Sequence, residues 1–99
     1  MAEAEGADRA ANWWVYILAC ADGTYYTGST NDLARRLDRH NAGEGARYTR
    51  SRRPVRLLAA AVCPDRSAAQ RMEAKVKRLP RAGKRHFVEQ HRVDAVPRP

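Results

Sequence analysis

At 99 residues the chain can form one compact domain, and it has no room for two separate hydrophobic cores. Its longest apolar run, from Trp13 to Ala21, is far shorter than the ~20 residues that a membrane-spanning helix needs. The net charge of +8 favours a polyanionic partner, with a merely soluble, arginine-rich surface as the alternative.

Residues 1–12 are predicted to be a disordered leader, because they are rich in alanine and acidic side chains and lack an apolar period. They also lack the basic-then-apolar order of a secretion signal, so we expect a soluble, cytoplasmic protein. Cys20 and Cys63 lie in apolar stretches and have no metal-binding or redox spacing. Buried thiols are therefore expected, and a disulfide is the less favoured alternative in a reducing cytoplasm.

The first regular element is the nearly continuous apolar run from Trp13 to Cys20. Such a run predicts a central strand that is covered on both faces. Asp22-Gly23 predicts a hairpin turn, since glycine tolerates the positive φ that the turn requires. Thr24 to Thr27 is then the paired strand, which we expect to end at Gly28, where backbone must pass closely or bend.

A helix is predicted over about residues 32–40, after three residues that can cap its N-terminus. Leu33 and Leu37 form the stripe that faces the core. Arg36 and His40 fall beside that stripe and, being four residues apart, are neighbours on the helix surface.

The second half of the chain continues with a glycine- and arginine-rich loop over 43–54, a strand over 55–62, a helix capped near Asp65, and a short basic helix over 81–91. Residues 93–99 are expected to be a loose tail, so that the domain spans 13–92. The predicted fold is a small α+β domain with a three-stranded antiparallel or mixed sheet flanked by helices, in the order β-β-α-β-α with a possible last helix.

Two segments concentrate the positive charge. Residues 35–56 contain eight arginines and two acidic residues, and residues 71–85 contain seven lysines or arginines and one acidic residue, so each segment has a net charge of +6. Neither segment has a strong apolar face, which makes an anionic membrane a poor partner. Two basic clusters on so small a body indicate nucleic acid.

A set of spaced residues resembles the GIY-YIG nuclease domain, in particular its small single-domain bacterial branch. The set consists of Val15-Tyr16, Tyr26-Thr27-Gly28 about ten residues later, Arg36, His40 and Glu73 on a later helix. Trp14 and Thr27 depart from the glycine and isoleucine of the family name, and neither position supplies a reacting group.

The resemblance implies a site with five catalytic residues: Tyr16, Tyr26, Arg36, His40 and Glu73. Glu73 is implied to hold one divalent metal ion, Mg²⁺ or Mn²⁺, which suits a single carboxylate because Mg²⁺ keeps several waters. The alternative is an ordinary surface ion pair between Glu73 and Lys77. Arg36 would clamp a phosphate oxygen through two donors, or else serve as a structural arginine on the helix flank.

The phenol of Tyr16 is implied to be the general base or the group that orients the attacking water, with Tyr26 as its partner across the hairpin. A phenol has a pKa near 10, so a base role requires a nearby positive charge to lower it. His40 would orient the base or protonate the leaving oxygen. The alternative for either tyrosine alone is packing with a satisfied hydroxyl.

Basic residues interleaved with one aromatic ring suit phosphate contact together with base stacking. The predicted nucleic-acid-binding residues are Arg35, Arg39, Arg47, Tyr48, Arg50, Arg52, Arg53 and Lys77. For the loop residues among them, a solvated surface is the alternative.

The sequence therefore predicts a Mg²⁺- or Mn²⁺-dependent endonuclease acting on DNA, selective for structure or strand, in DNA repair or processing. A second hypothesis is a nucleic-acid-binding module that keeps the fold and cuts poorly or not at all. RNA in place of DNA is a third.

Overall fold

The computed structural model describes residues 12–94, which form a three-stranded sheet and four helices. The elements are β1 (Trp13–Ala19), β2 (Tyr25–Thr30), α1 (Leu33–Asn41), α2 (Arg47–Arg50), β3 (Arg56–Cys63), α3 (Arg66–Arg78) and α4 (Arg81–His91). The predicted α+β class and the order of its elements are confirmed, and the single-turn helix α2 is an addition within the segment predicted to be a loop. Nearly all of the predicted leader and most of the predicted tail lie outside the described residues.

The sheet has the order β2-β1-β3, and both strand pairs are antiparallel. The central strand β1 alternates between two cores, as its continuous apolarity predicts. Val15 and Ile17 face the core built with α3 and α4, which we call the α3–α4 face. Tyr16 and Leu18 face the core that includes Leu33 of α1, which we call the α1 face.

The hairpin turn lies where Asp22-Gly23 predicts it, and Gly23 has a φ of +84°. Strand β2 continues past the predicted end at Gly28 as far as Thr30. Gly28 pairs with Tyr16, and a Cβ placed on Gly28 would lie 2.5 Å from the Tyr16 hydroxyl oxygen. Glycine is thus needed for the close approach of a side chain and not to end the strand.

Helices α1 and α3 each begin at an aspartate that caps them. The carboxylate of Asp32 accepts from the Arg35 N–H at 3.1 Å, and that of Asp65 accepts from the Ala68 N–H at 2.8 Å. Short polar side chains at this position satisfy N–H groups that the helix leaves unpaired. Pro80 separates α3 from α4, as predicted.

The segment between α1 and β3 is held by side chains that replace backbone pairing. The Asn41 amide accepts from the Val55 N–H at 2.8 Å and donates to the Val55 carbonyl at 3.0 Å. Arg53 donates to the carbonyls of Arg50 and Asn41. These bonds attach the end of the segment to the C-terminal end of α1, so that the first residues of the segment lie over that helix.

Cys20 and Cys63 are both buried and unpaired within the described chain, as predicted. In residues 12–94 no helix combines the length and apolarity that crossing a bilayer requires.

Candidate active site

Two tyrosines come together on the α1 face of the hairpin. In the β1–β2 register Tyr16 lies opposite Gly28 and Tyr26 lies opposite Leu18, so the two side chains are diagonal neighbours on one face. Their ring centroids are 6.5 Å apart. Tyr25 points to the opposite face, where it packs against the α3–α4 core, as the strand alternation predicts.

His40, at the end of α1, connects the Tyr16 hydroxyl to the following loop. Its Nε2 lies 3.1 Å from the Tyr16 oxygen, and its Nδ1 lies 2.8 Å from the Thr49 hydroxyl oxygen. The Thr49 hydroxyl in turn donates to the Ala46 carbonyl at 3.0 Å. His40 and Thr49 are fully buried, and Tyr16, at 2% exposure, is the member of this chain of hydrogen bonds that reaches the surface.

The Thr49 hydroxyl determines which nitrogen of His40 carries the proton. A carbonyl can only accept, so Thr49 gives its one hydrogen to Ala46 and must accept from His40 Nδ1–H. In a neutral imidazole Nε2 is then unprotonated and accepts from the Tyr16 O–H. The hydroxyl hydrogen of Tyr16 is thereby directed at His40, and the two lone pairs of its oxygen are left to accept from other donors, such as the neighbouring Arg36 side chain.

Burial moves the two titrating groups in opposite directions. Burial, followed by the Arg36 charge, lowers the pKa of His40 from 6.5 to about 4, which keeps the ring neutral at pH 7. Burial raises the pKa of Tyr16 well above its usual value of 10, the neighbouring Tyr26 and Glu73 add to that rise, and Arg36 opposes it. Tyr16 is therefore a neutral phenol in this state, and the lowered pKa that a phenolate base requires is not produced by the protein groups around it.

Arg36 is an exposed residue of α1 whose side chain reaches the Tyr16 phenol, and the two residues border a small gap between α1 and the sheet. A polar groove adjoins it, formed by the end of β2 and the start of α1. Its lining residues are Thr30, Asn31, Asp32, Arg35, Arg36 and Arg39. Three of the predicted residues thus share one groove that carries a positive charge.

Glu73 approaches this site from α3, which packs on the other face of the sheet. Its Oε1 accepts from the Ser29 hydroxyl at 2.6 Å, and its Oε2 pairs with Lys77 at 2.8 Å. Ser29 belongs to β2, an edge strand, so groups from both faces can meet beyond it. The carboxylate raises the pKa of Tyr16, and the Tyr26 phenol adds to the rise in the pKa of Lys77, which its bond to Glu73 mainly causes. The charges of Glu73 and Lys77 are therefore electrostatic neighbours of the two phenols.

The predicted metal ion can be tested against the donors present. In the described part of the chain, no three His, Cys, Asp or Glu side chains gather at one point, so no closed site of the zinc type forms there. Mg²⁺ needs less, because water and substrate phosphate complete its six ligands. The Glu73 side chain is 20% exposed, and each carboxylate oxygen has a lone pair beyond its single contact. Glu73 therefore fits an open site of this kind.

The predicted nucleic-acid-binding residues of the loop fall into two groups. Arg47 and Arg50 are exposed on α2. Tyr48 stacks on Tyr26, with ring centroids 6.1 Å apart and planes inclined by 24°, and so extends the aromatic wall of the site. The Arg52 guanidinium lies 3.9 Å from the centre of the Tyr48 ring.

Arg52 and Arg53 are committed to contacts inside the protein. Arg52 pairs with Asp22 at 2.9 Å and donates to the Tyr48 carbonyl. Arg53 donates to two backbone carbonyls, as described above. Their nearest partners thus belong to the fold, which distinguishes them from the exposed arginines of α1 and α2.

Sequence reasoning missed four residues that build this site: Ser29, Asn41, Gly45 and Thr49. A Cβ on Gly45 would overlap the His40 ring, so only glycine lets the loop cover that histidine. In the sequence, the one sign that the loop passes close to the helix was the pair of glycines that follows it, Gly43 and Gly45. Ser29 and Thr49 act through contacts 44 and 9 residues away along the chain, which local patterns do not reveal.

Comparison with known proteins gives the family to which the chain is similar. Residues 12–86 match the family model of the GIY-YIG catalytic domain. A UPF0213 protein of Xanthomonas axonopodis pv. citri is 54% identical over 72 residues, which cover 73% of this chain and 71% of that protein. The solution NMR structure of a UPF0213 protein from Bacillus halodurans has 47% identity and a TM-score of 0.52, and a solution NMR structure from E. faecalis has 37% identity and a TM-score of 0.56. Each covers 80% of this chain and 84% of the solved chain.

Proposed function

We propose that this chain, which belongs to the GIY-YIG domain family of nucleases, is a divalent-metal-dependent endonuclease that hydrolyses DNA phosphodiester bonds. We further propose that it selects substrates by structure or strand and acts in DNA repair or processing. One observation carries the proposal. The Tyr16 phenol bonds to His40 and lies beside Tyr26 and Arg36, while Ser29 of the same hairpin holds the Glu73 carboxylate.

Hydrolysis of a phosphodiester requires an oriented water, compensation of charge that grows on the phosphate, and help for the leaving oxygen. Arg36 is placed to compensate that charge. Arg36 is exposed, its side chain neighbours the Tyr16 phenol, and a guanidinium carries several donors in one plane, so it can hold a phosphate oxygen through two hydrogen bonds. A phosphate held there lies next to the Tyr16 hydroxyl.

Tyr16 orients the attacking water in this proposal. In the substrate-free protein the pKa of Tyr16 is raised and that of His40 is lowered to about 4, so a proton transfer between them is strongly uphill. The hydrogen bond to His40 therefore serves to direct the phenol. With its hydrogen held by Nε2, the Tyr16 oxygen presents a lone pair to which a water can donate. His40 is fully buried, which favours this orienting role over protonation of the leaving oxygen.

Glu73 is the residue that would hold the metal ion. When bound, the ion supplies a Lewis acid that stabilises the transition-state charge and lowers the pKa of a bound water. The Ser29 hydroxyl fixes the direction of the carboxylate, and Lys77 occupies its other oxygen until an ion competes for it.

The DNA backbone is proposed to follow the groove of Arg35 and Arg39 and the exposed arginines Arg47 and Arg50. Tyr48 lies beside this path and is 36% exposed, and an unpaired base can stack on its ring by displacing the Arg52 guanidinium. This combination of phosphate contacts with one aromatic platform supports a preference for frayed, branched or single-stranded DNA. Contacts to phosphate alone would carry no sequence preference.

The test is cleavage of labelled nicked, branched, single-stranded and duplex DNA, with Mg²⁺ or Mn²⁺ and with EDTA. Tyr16→Phe and Glu73→Gln are expected to lose about 10²-fold or more in the single-turnover rate. Tyr25→Phe is the matched control, because it removes a phenolic hydroxyl from the opposite face, and it should stay within about threefold of the wild type. Cleavage that survives in Tyr16→Phe and Glu73→Gln protein would remove the proposed site.

A non-catalytic nucleic-acid-binding module is the second candidate, and the ion pair between Glu73 and Lys77 favours it, since it is the ordinary surface contact that such a module would keep. It predicts salt-sensitive binding that EDTA leaves unchanged, with no turnover in either metal. Matched DNA and RNA substrates in the same assay decide which nucleic acid is cut or bound.

A further inference from the structure

A second basic groove lies on the α3–α4 face of the sheet, between the hairpin turn and α4. Its charged lining consists of Arg56, Arg81, Arg85, Arg92 and Glu89. Arg81 and Arg85 belong to the basic segment 71–85, and of the seven basic residues in that segment the proposed active site uses only Lys77. It shares no residue with the groove of Arg35, Arg36 and Arg39.

Three arginines of this groove form a row together with Glu89. Arg81, Arg85, Glu89 and Arg92 follow one another at intervals of four, four and three residues, so they lie along one side of α4 and its C-terminal cap. The end of the helix is fixed to the sheet, because the Val93 N–H donates to the Leu58 carbonyl at 3.1 Å. The row is therefore held on a rigid support.

Arg81 connects the start of α4 to the hairpin and keeps donors to spare. Its guanidinium lies 4.4 Å from the centre of the Tyr25 ring and donates from Nη2 to the Gly23 carbonyl at 3.1 Å. A guanidinium has five N–H donors, so several remain after this contact. Among residues 12–94, none of the four arginines forms an ion pair with a carboxylate.

Four guanidinium groups facing one carboxylate in a single groove leave a surplus of positive charge that attracts an anion. Arginine pairs with phosphate through two parallel hydrogen bonds, and a row along a helix matches the repeating phosphates of a backbone. We infer that this groove, between the hairpin turn and α4, binds the sugar–phosphate backbone of a second nucleic-acid segment. The inference rests on the proposed function for the nature of the polyanion.

The two grooves are too far apart to hold neighbouring phosphates of one strand. One adjoins Tyr25 at the start of β2 and the other adjoins Thr30 at its end, a separation of about 17 Å along the strand. They also open on opposite faces of the sheet. A substrate that fills both has two arms or a bend, which agrees with the proposed selection of branched DNA.

The experiment compares two double variants that remove the same charge. Arg85→Ser with Arg92→Ser empties the middle and end of the row. Arg71→Ser with Arg78→Ser is the control, since these residues are also seven apart and exposed, but lie on α3 outside the groove. Binding of a labelled forked DNA and of a labelled four-nucleotide single strand, which is too short to reach both grooves, is measured by fluorescence anisotropy in EDTA over a series of salt concentrations.

The groove variant is expected to lower the slope of log K against log salt for the fork by about 2, because each lost phosphate contact contributes about 0.9. The control variant should leave that slope unchanged, and the short strand should bind all three proteins alike. Equal losses in both double variants would overturn the inference, because net charge alone would explain them. A loss with the short strand would overturn it too, by making the groove part of the first site.

Polyglutamate of the same charge as the DNA tests whether the groove instead binds an acidic protein segment. If it displaces the fork from the wild type and from the control variant but not from the groove variant, the groove accepts an acidic protein segment and the inference fails. Binding in EDTA is independent of cleavage. A wild-type protein that cuts no DNA but shows the expected slopes would therefore refute the proposed function and leave the second groove standing.

Discussion

Replacement of Thr49 by valine tests the orientation of His40 with almost no change of shape. The Thr49 hydroxyl accepts from His40 Nδ1–H at 2.8 Å, and both residues are fully buried. Without that acceptor, the Nδ1–H tautomer keeps an unsatisfied buried donor, which costs about 1–3 kcal/mol. The other tautomer avoids the cost, but it donates from Nε2 to Tyr16 and turns the phenolic hydrogen towards the substrate.

The expected size of the effect follows from that energy difference. If only the Nδ1–H tautomer orients the phenol correctly, a penalty of about 1–3 kcal/mol reduces its population, and the single-turnover rate, by about 5- to 150-fold. Thr49→Ser keeps the hydroxyl and loses one methyl group, so it should cost about 1 kcal/mol of unfolding free energy and leave the rate within about threefold. Thr49→Val should destabilise the protein by a similar amount.

The assay measures single-turnover cleavage with protein in excess, together with urea unfolding of each variant. Nitrogen-15 NMR of the His40 ring reports the tautomer directly, and it should change in the valine variant but not in the serine variant. Equal cleavage rates for Thr49→Val and Thr49→Ser, with the same ring tautomer, would refute the reasoning.

Three further predictions follow from other contacts. Gly28→Ala places a methyl group against the Tyr16 phenol and should cost about 1–3 kcal/mol of unfolding free energy with a loss of cleavage. Gly23→Ala, in open space at φ +84°, should lower stability through backbone strain alone and keep the cleavage rate. Urea unfolding and cleavage assays of both variants check this. Burial lowers the pKa of His40 from 6.5 to about 4, so the unfolded chain takes up a proton that the folded one does not, and about 3 kcal/mol of stability present above pH 6.5 should be lost as the pH falls to 4. Urea unfolding across that range should show the loss in the wild type and not in His40→Gln, and parallel curves would contradict it. Lys77→Met frees one oxygen of Glu73. Because an ion pair with a lysine that is 52% exposed is worth at most about 1 kcal/mol, the half-saturating Mg²⁺ concentration for cleavage should fall by up to about fivefold. A rise in that concentration would show that Lys77 contributes in another way.

The sequence was sufficient to predict the parts of the site that depend on local periodicity. The turn at Asp22-Gly23 sets the hairpin register, and alternation along the strands then places Tyr16 and Tyr26 on one face. Helical spacing places Arg36 and His40 beside the same core. These placements follow from the two-residue period of a strand and the 3.6-residue period of a helix, and the tertiary contacts of this fold agree with both.

The cover over His40 could not be predicted, because it depends on contacts between segments. Glycine and arginine in residues 43–54 suit a solvated loop equally well, and composition does not tell which arginines donate to backbone carbonyls. The bonds from Asn41 to Val55 and from His40 to Thr49 decide the path of that loop. Each joins groups whose spacing has no regular period.

The site as a whole depends on two consecutive residues of the edge strand. Gly28 faces α1 and leaves room for the Tyr16 phenol, while Ser29 faces α3 and binds the Glu73 carboxylate. Because strand residues alternate between faces, a shift of one residue in the β1–β2 register would exchange these two roles. The phenol would then meet a side chain, and the carboxylate would lose its hydroxyl partner. The pairing of β2 with β1 is therefore what joins the water-orienting half of the proposed site to the metal-binding half.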